Sequence, residues 1–243
     1  MLINENALIL LIVVICSICQ SIIGVGLVMI GIPTLILSGF SFTHALSICL
    51  PGSLIINIFQ ISTHYKQINK SDIISYVTMS SVYLLFLFYI NYAVGISFNK
   101  TTAGLILILT GIVGFKSSLR VPFLQILASN QNAANVFTGI IHSISTMGGS
   151  LLSLNGAARY NDNQSSRRYI SGGYLALGLI QLIFYIQHGV SFTPTLYSLL
   201  SVPIYFASER YLSPYINPRK FKSIIFTVIL IYGLLLINQN FVE

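Results

Sequence analysis

Long apolar segments alternate with short polar segments along the whole chain, and this alternation predicts a bundle of membrane-embedded helices. The segments between the apolar runs are charged or rich in asparagine, as in "HYKQINKSD", "RYNDNQSSRR" and "ERYLSPYINPRKFK". Uncharged apolar runs of this length are typical of transmembrane helices, so we predict an all-α polytopic membrane protein with about eight membrane segments. The apolar runs fall near 7–38, 43–62, 72–95, 101–115, 134–157, 169–187, 193–207 and 223–238.

Two of the apolar runs are interrupted by glycine, and each interruption predicts a broken helix. The first run contains "GVG" at 24–26, and the fifth contains "GG" at 148–149. Breaks at membrane depth are tolerated where protein neighbours or a cavity satisfy the freed backbone groups. An offset of 122 residues lays one break on the other, so we predict two repeats, 1–120 and 121–243, within one integral membrane domain.

The distribution of lysine and arginine distinguishes two topologies. If every run crosses the membrane once, the better orientation places 8 basic residues in the cytoplasm and 4 outside. If both broken runs turn back as hairpins, loops near 62–72, 116–122, 158–168 and 207–222 share one side, with 11 basic residues inside and only Lys100 outside. Basic residues accumulate in cytoplasmic loops, which favours the hairpin topology. Each half then has a hairpin and three transmembrane helices, an odd number of crossings, so the two repeats are inverted.

Composition agrees with a membrane location and excludes several functions. Of 243 residues, 55% are hydrophobic and only 7% are charged, whereas soluble domains carry roughly 25% charged residues. The net charge of +7 is scattered between spans and forms no stripe, which argues against nucleic-acid binding. No basic residue precedes the first apolar run, so we expect this segment to remain in the mature protein.

Metal, redox and nucleotide chemistry are not predicted either. The four histidines are far apart in sequence, and Cys16 and Cys19 lie inside an apolar helix, so we expect no metal site, redox pair or cofactor. The phosphate-binding motif G-x-x-x-x-G-K-[ST] does not occur, so this chain is not expected to use ATP. The five acidic residues lie near loops or termini, which argues against a proton relay or a cation site within the membrane.

A neutral anion site suits the remaining polar residues. At a broken helix, free backbone N–H groups and the positive end of the helix dipole can hold an anion without a cationic side chain. The alternative is that glycine and serine simply allow transmembrane helices to pack closely, and it fits the glycines about equally well.

The predicted site combines the two breaks with polar side chains on neighbouring helices. Polar side chains within lipid must face protein, so each also has a purely structural interpretation, which is the better one for His142. We interpret Arg159, Arg167 and Arg168 as orientation signals that also place positive charge where an anion would enter. No catalytic residue is predicted. The predicted substrate-binding residues are Gln20, Ser21, Gly24, Gly26, Asn57, His142, Ser145, Thr146, Gly148, Gly149, Ser150 and Gln181.

Two long segments carry a resemblance to a known family. They are "SIIGVGLVMIGIPTLILSGFSFTHALSICLPGSL" and, half a chain later, "FTGIIHSISTMGGSLLSLNGAARYNDNQSSRRYISG". With the size of the chain, its duplicated halves and its low charge, they resemble the sulfite exporter TauE/SafE family, also called TSUP, of bacterial membrane transporters. The residues that match the family's two glycine-rich motifs and its basic step are Gly24, Gly26, Pro33, Gly139, Gly148, Gly149 and Arg167 or Arg168.

The sequence departs from the family pattern at a few positions. Leu27 and Val28 follow Gly26 where adjacent glycines are usual, Ser150 stands where proline is common, and no alanine follows the arginine. These departures bear on the substrate more than on the fold. The resemblance implies a multi-pass transporter of the bacterial plasma (inner) membrane that moves a small anion, often sulfite or a sulfonate, driven by a proton or sodium gradient.

We therefore expect a secondary transporter that works by alternating access around the two broken helices, with a small anion and the lipid bilayer as its partners. The residues leave two alternatives open. One is an anion channel, and the other is a membrane-embedded enzyme or accessory factor with a polar cavity. An enzyme requires a nucleophile–base pair or a charged catalytic cluster, and the sequence contains neither, so enzymatic activity is not expected. No oligomeric state is predicted.

Overall fold

A computed structural model describes residues 4–63, 67–94, 99–192 and 196–242, and every regular element in these ranges is helical. A π-helical turn precedes α2, and a 3-10 turn precedes α11. Lys66 and residues 193–195, which the sequence analysis placed in a cytoplasmic loop and an apolar run, lie outside these ranges. The helices are α1 (Glu5–Ile23), α2 (Ile32–Leu37), α3 (Phe42–Ser62), α4 (Lys70–Val94), α5 (Lys100–Phe115), α6 (Ser117–Ser129), α7 (Gln131–Ser145), α8 (Gly148–Arg159), α9 (Asn163–Gln187), α10 (Leu196–Tyr211) and α11 (Pro218–Val242).

Four helices in these ranges are long and apolar enough to cross a membrane, namely α1, α3, α4 and α9. The first, second and fourth of these bury more than half of their most apolar window, whereas α4 buries only 22% of its own. Large apolar side chains of α4 such as Leu85 and Phe88 are exposed, as expected for a lipid-facing surface. The predicted all-helical, membrane-type fold is therefore confirmed at this level, while the count of eight membrane segments stays a prediction.

The helices pack in pairs that run along much of their length. The strongest pairings are α5 with α11, α4 with α7, α1 with α10, and α3 with both α9 and α10. Glycine brings α5 and α11 close together, because a Cβ atom added at Gly111 would lie 2.9 Å from the Cβ of Leu230. Close approach through small residues is how transmembrane helices gain packing contacts.

The first broken run folds as a hairpin. Helix α1 ends at Gly24, which has a left-handed backbone (φ 82°) and donates its N–H to the carbonyl of Gln20. The chain then turns back along α1, and Gly26 lies so close to it that an added Cβ would overlap the carbonyl oxygen of Cys16. Further along the returning segment, Thr34 donates its hydroxyl to Tyr232 of α11 at 2.9 Å.

The second broken run also folds as a hairpin, made of α7 and α8. Helix α7 ends at Thr146, whose left-handed backbone (φ 58°) reverses the chain. Helix α8 returns along α7, since Asn155 donates from Nδ2 to Thr138 Oγ1 at 2.9 Å. At the open end of the hairpin, Arg159 donates to Gln131 Oε1 at 2.7 Å. Both breaks predicted from glycine are therefore breaks in the structure.

The segment around 116–122 corrects one expectation. The sequence analysis assigned it to a loop, but residues 117–129 form α6, which packs against α5 and α8. A search for uncharged apolar runs overlooks α6 because Arg120, Gln125 and serines interrupt its apolar residues. The predicted boundary between the repeats, after residue 120, falls inside this helix.

The polar loops with basic residues meet at one end of the bundle. Arg168 Nη1 donates to Gln67 Oε1 at 2.6 Å, which joins the start of α9 to the loop after α3. Arg120, in α6, lines a cavity there with residues of α11. At the opposite end, Asn91 of α4 and His188 after α9 lie 3.1 Å apart. We call these the basic end and the opposite end of the bundle.

Candidate functional site

A polar cluster lies beside the first break and is closed by its own hydrogen bonds. Gln20 donates from Nε2 to Asn57 Oδ1 at 3.2 Å and lies 3.5 Å from Ser53 Oγ. The same carboxamide accepts the N–H of Leu27, the first residue of the returning segment, at 3.2 Å. All three polar side chains are buried. Gln20 and Asn57 were predicted from the sequence, and Ser53, one helical turn before Asn57, was missed.

A second polar cluster lies beside the second break, and its side chains have no such bonds. His142 occupies the position of Gln20 in the second half and interacts with the side chain of Gln181 of α9, but neither the ring nitrogens nor the carboxamide atoms make a hydrogen bond of ordinary geometry. The ring of Tyr83 lies 4.7 Å from the imidazole, centroid to centroid. The hydroxyls of Tyr83 and Tyr174 are likewise buried and without a partner. The sequence analysis named the histidine and the glutamine and missed both tyrosines.

The contrast between the clusters marks the second one as the candidate binding site. Leaving a buried polar group unpaired costs about 1–3 kcal/mol, and native proteins keep few such groups. Here two tyrosine hydroxyls have no partner, and the His142–Gln181 pair has no hydrogen bond of ordinary geometry. All four side chains are nine-tenths buried or more and surround one helix break. Tyr174 brings its hydroxyl directly beside Gly149, in the first turn of α8. The first N–H groups of a helix have no acceptor within the helix, so this end of α8 is electropositive.

The small hydroxyl residues of the breaks mainly bond to their own turns. Ser145 Oγ accepts the N–H of Met147 at 3.1 Å, and Ser150 donates to the carbonyl of the same residue at 2.8 Å. Thr146 donates to the carbonyl of the residue before it, and Ser21 donates to Ile18 within α1. These four predicted site residues therefore shape the turns.

The space beside the predicted site glycines is filled by protein. An added Cβ would lie 2.6 Å from the Cβ of His142 at Gly148, and would overlap the Tyr174 hydroxyl at Gly149. At Gly24 it would lie 3.2 Å from Cγ of Arg167. Where a Cβ would stand, these three glycines instead allow neighbouring segments to pack closely, as the structural alternative in the sequence analysis predicts. Ligand recognition in the second cluster therefore depends on the side chains and on the N–H groups of α8.

Two cavities flank the first break. One of about 470 Å³ lies at the basic end, between the ends of α3, α9 and α10, and its wall includes Arg167. The other, of about 300 Å³, is lined by Ile23, Val25 and Met29 from the first hairpin and by residues of α6, α8, α9 and α11.

A buried charged network joins α4, α8 and α9 at the basic end. Asp72 is fully buried and lies 3.1 Å from Arg159 Nε, and it also accepts the hydroxyl of Tyr160. Arg159 additionally donates to Ser75 at 3.1 Å and lies over the ring of Tyr169. The sequence analysis placed Asp72 near a loop, and the residue indeed lies in the first turn of α4. The sequence did not indicate that its carboxylate is buried.

The described residues contain no group of three or more His, Cys, Asp or Glu side chains that could hold a metal ion. The chain matches no protein-family model, no curated protein and no solved structure. Its functional interpretation therefore depends on the residues and on the geometry around the two breaks.

Proposed function

We propose that this chain is a secondary transporter of the TauE/SafE type, which moves a small, sulfur-containing anion such as sulfite or a sulfonate across the bacterial plasma membrane. The observation that carries the proposal is the second cluster at the start of α8, where Tyr174 is buried without a hydrogen-bond partner and the buried His142 and Gln181 have only each other as polar neighbours, without a bond of ordinary geometry. Alternating access between the two halves would expose this cluster to each side in turn.

The helix packing supports two repeats. If α1–α5 are matched in order with α7–α11, the packing of α1 on α10 corresponds to that of α7 on α4, and α3 on α10 corresponds to α9 on α4. Likewise, α2 contacts α11 as α8 contacts α5, while the pairs α3–α9 and α5–α11 each map onto themselves. A twofold relation between the halves produces this pattern.

The orientation of the hairpins supports an inverted relation. The second hairpin opens at the basic end, where Gln131 and Arg159 meet. The first hairpin opens at the opposite end, because its turn, at Gly24, packs against Arg167 of the basic end. Two broken hairpins that enter from opposite sides are the arrangement in which many secondary transporters build a central site.

The donors in the second cluster support an anion rather than a cation. Tyrosine hydroxyls, the Gln181 amide and the N–H groups of α8 all donate hydrogen bonds, and a neutral imidazole donates one as well. The described acidic side chains, those of Glu5, Asp72, Asp162 and Glu209, belong to the ends of helices. A cation would lack a carboxylate partner at the break.

Flux measurements in proteoliposomes test the proposal. We expect saturable uptake of radiolabelled sulfite or thiosulfate that depends on an imposed proton or sodium gradient. Gln181→Leu should lower this flux at least about tenfold, since a hydrogen bond to a charged ligand contributes roughly 1.5–3 kcal/mol. The same change should cost little stability, because the buried carboxamide that it removes makes no hydrogen bond of ordinary geometry in the protein.

Asn57→Leu is the matched control for the first cluster. It should destabilise the protein, because Asn57 is hydrogen-bonded to Gln20. Wild-type flux in a folded Gln181→Leu variant would refute the assignment of the second cluster as the site. Flux that rises linearly with anion concentration and does not depend on the imposed proton or sodium gradient would indicate a channel. The absence of flux for every small anion would refute transport.

A further inference from the structure

The cavity at the basic end has a wall of hydrogen-bond donors. It measures about 470 Å³ and is lined by Gln60, Arg167 and Arg168 among others. Two buried N–H groups on these residues have no hydrogen-bond partner, namely Arg167 Nε and Arg168 Nε, while Gln60 interacts with Tyr205 in the same wall. Asn163 adds an unpaired carboxamide oxygen to the same wall, and rotation of its amide group presents an N–H there instead. Unpaired donors that converge on a cavity favour a ligand rich in acceptors.

One carboxylate already binds to this wall. Glu209 of α10 accepts from Arg167 Nη2 through both of its oxygens, at 2.8 and 3.1 Å. Both bonds come from a single nitrogen, so the pair lacks the two-nitrogen fork that makes arginine–carboxylate pairs strong. The Glu209 side chain is 38% exposed and that of Arg167 is 17% exposed. Partly exposed ion pairs of this kind shift an equilibrium by at most about fivefold, so Glu209 is easily displaced.

We propose that this cavity is an oxyanion-binding site in which Arg167 exchanges Glu209 for the incoming anion. The site borders the first break, because Cγ of Arg167 lies 3.2 Å from the position of a Cβ on Gly24. The proposal rests on the proposed function in that it gives the transported anion a binding place at the basic end, before it reaches the breaks. Nothing in the second cluster is needed for binding here.

The chemistry of the wall defines the class of ligand. A guanidinium presents parallel N–H groups that match two oxygens of one oxyanion, and Arg167 has its Nε free for such a bond. Once Glu209 turns toward solvent, Arg167 and Arg168 face the ligand as two positive charges, with the exposed carboxylate of Asp162 acting on Arg168 from the solvent side. The site therefore fits a tetrahedral or pyramidal dianion, such as sulfate, thiosulfate or sulfite, better than it fits a halide.

Equilibrium binding of radiolabelled sulfate to the purified protein in detergent tests this site without any need for flux. Wild-type protein should bind sulfate saturably, with thiosulfate competing and chloride competing poorly. Glu209→Gln should tighten binding by up to about fivefold, because the anion no longer has a competitor for Arg167. Arg167→Gln should weaken binding at least about tenfold through the loss of a charge-assisted pair.

Two neighbouring residues supply matched controls. Asp162→Asn also removes a negative charge at this end, from an exposed residue that accepts from the Ser165 N–H and not from Arg167. Arg210→Gln removes a positive charge next to Glu209, from an exposed side chain that lies over the ring of Tyr211. Both variants should bind sulfate like the wild type.

Some outcomes would overturn the site. Equal affinities of wild type and Arg167→Gln would do so, as would a gain in Glu209→Gln no larger than in Asp162→Asn. Misfolding cannot produce the tighter sulfate binding expected of Glu209→Gln, so this variant tests the site even if Arg167→Gln folds poorly. Arg167-dependent binding without flux in liposomes supports the site and refutes the transport function. Flux with Arg167-independent binding supports transport and overturns the site.

Discussion

Asp72 offers the sharpest test of how the basic end is held together. Its side chain is fully buried, and that of Arg159, its partner at 3.1 Å, is 9% exposed. Asp72→Asn keeps the size of the side chain but leaves the guanidinium without its counter-charge. Breaking a buried ion pair by removing one partner costs about 3–5 kcal/mol.

The expected loss lies near the lower limit of that range. Arg159 keeps its hydrogen bonds to Ser75 and Gln131, at 3.1 and 2.7 Å, and its place over the ring of Tyr169. We therefore expect a loss of about 3 kcal/mol. For a chain of 150–250 residues, this corresponds to a fall in Tm of about 6–12 °C.

The three native cysteines make the measurement simple. Cys16, Cys19 and Cys49 are free and buried, so a maleimide dye that fluoresces on reaction with thiols reports unfolding during heating. Asp162→Asn is the control, since asparagine caps a helix as well as aspartate does and should change stability by less than about 0.5 kcal/mol.

The native Asp162 side chain gives the wild type a pH dependence that the control variant lacks. The pKa of the Asp162 carboxyl is lowered because it accepts the N–H of Ser165. A lowered pKa in the folded state means that its stabilising contribution is present at neutral pH and is lost as the pH falls.

One result would contradict the prediction for Asp72. If Asp72→Asn and the control variant both unfold within about 1–2 °C of the wild type, a difference on the order of the precision of the assay, the charged network does not stabilise the basic end.

Two substitutions and one labelling experiment test the hairpins and the topology. Gly149→Ala should cost about 1–3 kcal/mol in the same thiol assay, since its methyl group meets a tyrosine side chain. Gly26→Ala should cost more, because its methyl group meets the backbone of α1, which cannot rotate away; equal stability of either variant and the wild type would contradict the hairpin packing. Cysteines at Asn69 and Asn163 should label from one side of the membrane and a cysteine at Lys100 from the other, whereas labelling of the first two from opposite sides would refute the inverted topology.

The hairpins are the part of the fold that could be predicted from the sequence. Closely spaced glycines in an otherwise apolar run permit a break, although glycine also serves close helix packing, as Gly111 does in the continuous helix α5. That each broken run turns back, rather than continuing across, follows only when the basic loops are required to share a side. In the structure, Gly26 packs on α1 and Asn155 bonds to Thr138, so each broken run does turn back on itself.

The polar partnerships could not be predicted, because helix packing decides them. Nothing local to Asp72 indicates that Arg159 lies beside it, and Arg167 and Glu209 belong to different helices. The chain has 14 tyrosines, and no pattern separates Tyr83 and Tyr174 from those that face lipid. Helix α6 was not predicted for a related reason, since its residues pack against neighbouring helices but do not form an uncharged apolar run in the sequence.

The pairing of helices across the two halves has a consequence for biogenesis. The main partners of α1, α3, α4 and α5 are α10, α9, α7 and α11, all of which are synthesised later. Soluble domains usually fold one after another as the ribosome delivers them. For this chain, the packing predicts that helices of the first half insert before their partners exist, so that insertion and assembly are separate stages. Because the main contacts of each half are made with the other, we expect neither half to be a folding unit by itself.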